Sequence, residues 1–312
     1  MKNNHTSLVY IVIVTYNGIR WIKRCMESIK GSEIIIIDNN STDGTVNFIE
    51  SNYPYIYLEK QKENLGFGKA NNIGISKALE LGAEAVFLMN QDVYLNESVI
   101  ENLFVALKNN PSYGIISPIH LNAKGNELDR DFARYCLANR KIYADSLLNN
   151  KKESLYEMPF VNAAAWLVSK ECFCKIGGFD PNFFHYGEDE NFCQRVAYHG
   201  LKIGIHNQNF ICHDTPDIKS RPKKLFSSKY YLAYKKFIFV KFANINKAFD
   251  VYAFEKEKKN IAKKIIKSFV GLKLKYSLGY FKQLKLLYSL KKEIKKSREL
   301  NKKEGKHYIS CY

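Results

Sequence analysis

Leu8-Val9-Tyr10-Ile11-Val12-Ile13-Val14 is an unbroken apolar run rich in β-branched side chains, and Thr15-Tyr16-Asn17-Gly18 ends it. A strand with water on one face alternates apolar and polar residues, whereas a run without alternation is buried on both faces. A second run of this kind, Ile34-Ile35-Ile36-Ile37, stops at Asp38-Asn39-Asn40-Ser41-Thr42-Asp43-Gly44. Between the two, the pattern reads as a helix to about Lys30, and Ser41 or Asp43 can cap another that begins near Thr45. A third short strand, residues 55–58, precedes Asn64-Leu65-Gly66-Phe67-Gly68-Lys69, and a helix from about Ala70 to Leu81 leads to the strand Ala85-Val86-Phe87-Leu88-Met89. Strands alternating with helices predict a doubly wound α/β layer with right-handed crossovers.

Ligands of such sheets sit outside the carboxyl ends of the strands. The polar residues gather there: Thr15, Tyr16 and Asn17 after the first strand, Asp38 and Asn40 after the second, Gly66 and Lys69 after the third, Gln91 and Asp92 after the fourth. A nucleotide needs a carboxylate for ribose or base hydrogen bonds, amide side chains, and backbone made approachable by glycine. No GxGxxG follows the first strand, which disfavours hydride transfer. Far downstream, Gly187-Glu188-Asp189-Glu190-Asn191-Phe192-Cys193-Gln194-Arg195 reads as a loop entering a helix, with Phe192, Val196 and His199 at helical spacing. The positive end of the helix favours ionised carboxylates, as a general base must be, although acidic first turns are also an ordinary helix-start signal.

These motifs together resemble the family 2 glycosyltransferases with the GT-A fold, and in particular their rhamnosyltransferase-like branch. The resemblance runs from Val14-Thr15-Tyr16-Asn17 through residues 37–44, 64–72 and Leu88-Met89-Asn90-Gln91-Asp92. It continues through Val161-Asn162-Ala163-Ala164 and Gly177-Gly178-Phe179-Asp180 into Gly187-Glu188-Asp189, covering roughly residues 8–215. It implies a nucleotide-binding mixed sheet flanked by helices, a nucleotide-sugar donor and a glycan or lipid-linked glycan acceptor. It also implies a DxD-like motif after the fourth strand that holds a divalent cation, Mn²⁺ or Mg²⁺, on the donor diphosphate. Here that triplet is Asn90-Gln91-Asp92, so Asp92 alone supplies the carboxylate and a weakly binding site is expected. His213 falls where members often place a third metal or phosphate contact, and a nitrogen ligand suits Mn²⁺ better than Mg²⁺. A loop histidine bonded to a neighbour is the other reading. By the same resemblance Asp189 is the base of an inverting transfer and Glu188 its support. Asn162 and Ala163, on a strand after Phe160, then line the acceptor side. Trp166 is either a platform for a sugar ring or a core side chain, and Arg195 is expected to pair with a carboxylate or the backbone.

The composition divides the 312 residues. From Arg221 onward there are 26 Lys and Arg against 6 Asp and Glu, leaving 22 against 25 before it. We therefore expect a catalytic domain over residues 1–220 and a basic helical tail over 221–312. In the tail Ile261, Ile265, Phe269, Leu272, Tyr276, Tyr280, Leu284, Leu287 and Ile294 recur at helical spacing among lysines. An anionic membrane surface suits that pattern, at about 1 kcal/mol for each lysine near it. A helix packed on the body with solvated lysines is the plainer alternative, and no recognition motif accompanies the charge to suggest nucleic acid. An amphipathic helix can also dimerise. Seven scattered cysteines without a CxxC pair read as reduced thiols of a cytoplasmic protein. Polar residues 1–7 lack the apolar core of a signal peptide, and no run approaches about 18 apolar residues, so peripheral rather than spanning attachment is expected. Residues 120–158 read only as an insertion reaching over the acceptor. Two rivals remain. A sugar nucleotidyltransferase needs a glycine- and basic-rich loop after the first strand, which Thr15-Tyr16-Asn17-Gly18 is not. A non-catalytic scaffold would explain the degraded DxD but not the retained Glu188-Asp189.

Overall fold

The computed structural model describes residues 8–137, 139–148, 154–215 and 223–310. The N-terminal segment 1–7 and the expected boundary at 220/221 lie outside them. Strands β1 (Val9–Thr15), β2 (Glu33–Asp38), β3 (Tyr57–Lys60) and β4 (Ala85–Asn90) are parallel and lie in the order β3-β2-β1-β4. Helices α1 (Ile19–Ser28), α2 (Thr45–Asn52) and α3 (Phe67–Glu80) make the crossovers. Ile11, Ile13, Ile34 and Ile36 enter one apolar layer, while Val12, Ile35 and Ile37 enter the other. The unalternating runs are thus buried on both faces. α3 begins three residues before its expected start because Gly66, at φ 83°, turns the chain into it. A Cβ there would lie 2.1 Å from the Phe184 carbonyl oxygen, so only glycine permits the approach.

Beyond β4 the sheet becomes mixed. The following elements are β5 (Val93–Leu95), α4 (Val99–Asn109), β6 (Tyr113–Asn122), α5 (Arg130–Cys136), α6 (Arg140–Leu147) and β7 (Leu155–Glu157). Then come β8 (Ala165–Ser169), α7 (Lys170–Ile176), α8 (Glu188–Tyr198) and β9 (Lys202–His213). β8 runs antiparallel between β4 and β6, and β6 pairs in parallel with the long β9. β9 slips register where Pro118 faces His206 and Ile119 faces Phe210. Its first half pairs with β7 and its last three residues with β5. The described part of residues 120–158, expected as an insertion, carries the end of β6, then α5, α6 and β7. Asn162 and Ala163 lie in the loop before β8 rather than on a strand, since pairing with β4 begins at Ala165 opposite Met89.

The chain forms two compact units, one of the described residues up to Thr215 with Glu304 to Ser310, the other of those from Lys223 to Lys303. Closing the first unit, the Gly178 N–H donates to the His307 carbonyl (2.7 Å) and the Gly305 N–H to that of Lys175 (2.9 Å), while Ile309 joins the apolar layer of Trp166. The second unit comprises α9 (Ser228–Phe242), α10 (Val251–Val270) and α11 (Leu274–Asn301). Its buried apolar residues include Ile238, Phe239, Phe254, Ile261, Leu287, Leu290 and Ile294, and the Arg298 guanidinium donates to the carbonyls of Phe242 and Lys247. The first of those bonds satisfies the last carbonyl of α9. The six described cysteines are free. No described helix is long and apolar enough to cross a membrane.

Candidate active site

The loops after β1 and β2 are tied to each other by side chains that the sequence reading assigns to a ligand. Thr15 is 0 % exposed and its hydroxyl donates to Asp38 Oδ1 (2.8 Å). Asp38, 2 % exposed, also accepts the Ser41 N–H at Oδ2 (2.9 Å). Asn17, at φ 48°, accepts the Thr42 N–H and donates its own N–H to Ser41 Oγ. The Gln91 amide is likewise taken up: Oε1 accepts the Tyr16 N–H (3.0 Å) and Nε2 donates to the Tyr16 carbonyl (3.1 Å). Thr15, Asp38 and Gln91 therefore build the rim, and the exposed groups on it are Tyr16, Asn40 and, on the first turn of α3, Lys69. Asn39 was not among the expected site residues. It is buried and joins the second loop to the third, accepting the Leu65 N–H (2.8 Å) and donating to Asn64 Oδ1 (2.9 Å).

Asp92 and His213 are brought together by the short pairing of β5 with β9, which sets His213 opposite Val93, while the Asp214 N–H donates to the Asp92 carbonyl. His213 Nε2 lies 3.5 Å from Asp92 Oδ1, and its Nδ1 lies 3.5 Å from Asp129 Oδ2. Burial pulls the imidazole down, but its hydrogen bonds to Asp129 and Asp92 outweigh that and lift it to about 9. Asp129 is delivered by the turn after β6, where its N–H donates to the His120 carbonyl. Its Oδ1 caps α5, accepting from Asp131 and Phe132. Burial raises the Asp129 carboxyl, but the His213 bond and the Phe132 N–H hold it at about 2. Nothing in the sequence marks this residue beyond an acid before a helix.

A divalent cation fits this donor set in part. Two donors 3.5 Å apart can share one ion, since ligands at ~2.1 Å on opposite sides of it are about 4.2 Å apart. Asp129 on the far ring nitrogen is the carboxylate–histidine arrangement that orients metal-bound imidazoles. Among the described residues no group of three or more His, Cys, Asp or Glu could hold a metal. A cation held by Asp92 and His213 would need further ligands from water or substrate.

Asp189 and Glu188 open α8, behind Gly187 at φ 93°. Asp189 is half-buried, and burial raises its carboxyl above the ordinary value despite N–H groups of the helix start and of Ala163. Desolvation thus outweighs the hydrogen bonds at the helix start in setting the direction of this shift. The Ala163 N–H is one of the groups that bond to this carboxylate. Glu188 is buried against the first turn of α3, where a Cβ on Gly68 would sit 3.6 Å from its own. Tyr135 of α5 stacks edge-on against Phe160 (4.8 Å between centroids), and its phenol is pushed up to about 12 by burial and by the charges of Asp189, Asp131 and Asp129. Trp166 is 0 % exposed and packs among Phe179 and Phe192, so it is a core side chain and no sugar ring can rest on it. Arg195 pairs with backbone: Nη1 donates to the Ile176 carbonyl (2.7 Å) and Nη2 to that of Gly178. Asn162 has a buried Oδ1 that accepts no hydrogen bond among the described residues.

Residues 10–176 match the model of glycosyl transferase family 2, and residues 156–223 match one described as the N-terminal domain of galactosyltransferase. The chain is 26% identical over 219 residues to the dTDP-rhamnosyl transferase RfbF of Shigella flexneri, covering 68% of each. It is 24% identical to the N-acetylglucosaminyl-diphospho-decaprenol L-rhamnosyltransferase of Mycobacterium tuberculosis over 67% of this chain and 76% of that one. The mannosyltransferase PcManGT of Pyrobaculum calidifontis, solved with GDP-Man and Mn²⁺, superposes with a TM-score of 0.52 at 16% identity over 95% of this chain and 86% of that one. TarS of S. aureus shares the fold at a TM-score of 0.51 and 14% identity; the match takes 67% of this chain and spans 37% of that longer one.

Proposed function

This chain belongs to glycosyl transferase family 2, and from that premise we propose that it moves a hexose or deoxyhexose, with inversion, from a nucleotide diphosphate sugar to a hydroxyl of a glycan or lipid-linked glycan in surface polysaccharide assembly. The rhamnosyl relatives favour a deoxyhexose carried on dTDP and an acceptor on a polyprenyl diphosphate. The observation that carries the proposal is at Tyr135, whose phenol feels both Asp189 and Asp129. The charge of Asp189, at the start of α8, and that of Asp129, beside His213, thus both reach this one side chain of α5.

In this reading Asp189 accepts the proton of the acceptor hydroxyl. Its raised carboxyl makes it a stronger base than an exposed aspartate, and the Ala163 N–H and the α8 start fix its direction. Glu188 holds α8 against the donor loop at Gly68. Tyr16, Asn40 and Lys69 face the donor. Asp92 and His213 would hold Mn²⁺ or Mg²⁺, oriented by Asp129. A divalent ion bound there supplies positive charge for the departing diphosphate. The basic second unit keeps the enzyme in the cytoplasm on the anionic inner face of the membrane, where a lipid-linked acceptor is presented.

Nucleotide release from dTDP-, UDP- and GDP-sugars with Mn²⁺ tests this, using wild type and Asp189→Asn. Release from one donor by wild type alone is expected, with donor binding retained in the variant. Silence across the panel without donor binding overturns the proposal.

A further inference from the structure

Leu232, Phe237, Val251 and Tyr252 are exposed singly or in pairs along the second unit, but six exposed apolar side chains adjoin one turn. Ile266, Phe269, Val270, Leu272, Leu274 and Leu278 flank the connection between α10 and α11 and are 58 to 87% exposed. The same helices bury Phe254, Ile261, Leu287 and Ile294 away from that connection. The apolar stripe is therefore core along one part of the pair and bare at its elbow. The elbow is a built turn: Leu272 sits at φ 55°, the Gly271 N–H donates to the Lys267 carbonyl (3.1 Å), and the Lys273 N–H donates to that of Ser268 (2.8 Å). Contiguous exposed apolar surface of this kind marks an interaction site.

The charge around it selects the occupant. Residues 258–292 contain eleven lysines and no Asp or Glu. A second copy of the chain would bring lysines against lysines with no carboxylate between them. Phosphates of a nucleic acid would pair with the lysines and leave Phe269 and Leu272 in water. An anionic bilayer accommodates both features, because apolar side chains enter the acyl boundary while lysines extend to the headgroups. Neither helix is long and apolar enough to cross, so entry is confined to one leaflet.

We infer that the α10–α11 elbow inserts into an anionic lipid bilayer. This rests on the membrane docking proposed above and adds its mode: apolar insertion as well as surface charge. The test is co-sedimentation of the full chain with phosphatidylcholine vesicles, with and without phosphatidylglycerol, at low and high salt. It compares wild type with the triple variant Phe269→Ser, Leu272→Ser, Leu278→Ser, whose fold is checked by circular dichroism. Wild type binds anionic vesicles and retains binding at high salt, whereas the variant binds on the order of tenfold more weakly at low salt and is released at high salt. In a Leu272→Trp variant the added indole emission shifts to the blue on binding. No vesicle binding by wild type overturns docking itself. Equal binding by both proteins, lost with salt, leaves docking and overturns insertion. A lipid-free dimer that the triple variant dissolves makes the elbow a self-interface and also overturns insertion.

Discussion

Asp129→Asn separates two duties that one carboxylate performs. Oδ1 caps α5 through the Asp131 and Phe132 N–H groups, and Oδ2 faces His213 Nδ1. Asparagine caps a helix as well as aspartate does, so with its carbonyl oxygen on those N–H groups the fold is retained. Its NH₂ then meets Nδ1, and a donor facing a donor drives the neutral imidazole to the other tautomer, with the proton on Nε2. That nitrogen is the one directed at Asp92, 3.5 Å away, and once protonated it cannot be a ligand. Loss of an outer carboxylate of this kind costs about 10- to 100-fold in metal affinity, equivalent to about 1.4 to 2.8 kcal/mol. The assay is nucleotide release titrated with Mn²⁺ beside a thermal melt. The half-saturating Mn²⁺ concentration should rise by that factor, with turnover at saturation largely recovered and melting unchanged. Asp129→Ala should show the same metal defect plus about 1 kcal/mol of lost stability from the missing cap. Unchanged Mn²⁺ dependence in an Asp129→Asn protein that melts like wild type would refute the reasoning and leave Asp129 as a cap alone.

Asp189 predicts opposite effects on rate and stability. Because the folded carboxyl is raised, the native state binds more protons than the unfolded chain between the two values, and stability falls as pH rises through that window. Asp189→Asn should therefore melt higher than wild type at neutral pH while losing transfer. The wild-type kcat/KM should fall on acidification with an apparent pKa above the ordinary carboxylate value of about 4; an acid limb at that ordinary value would remove Asp189 as the base. Trp166→Ala should cost about 3–5 kcal/mol in a denaturant melt, and a change in acceptor KM without loss of stability would restore the sugar platform. Gly177, at φ 75°, would place a Cβ 2.1 Å from the His307 carbonyl oxygen. Gly177→Ala should cost about 1–3 kcal/mol and expose residues 304–310 to limited proteolysis; an unchanged melt and cleavage pattern would mean that residues 304–310 add nothing to the stability of the first unit.

The parts of this molecule that were legible in sequence are those in which one local pattern has one structural solution. Residues 8–14 do not alternate, and Ile11, Val12 and Ile13 among them are buried on both faces of the sheet, while Gly187 before three acids opens α8. What stayed hidden depends on registers between distant strands. Nothing near Asp129 distinguishes a cap from a metal-side carboxylate; the turn after β6 and the three-residue pairing of β5 with β9 bring it to His213. Thr15 and Gln91 stand in the right motifs, yet their polar atoms are consumed in holding the loops, because a polar group at a buried strand end needs a partner before it can serve a ligand. Desolvation of Asp189 follows the same logic, as it depends on α5 and the loop before β8 closing around it. A sequence motif thus identifies which carboxylate stands at the site, whereas its proton affinity is a property of the packing, and the Asp189 pH profile is where that difference becomes measurable.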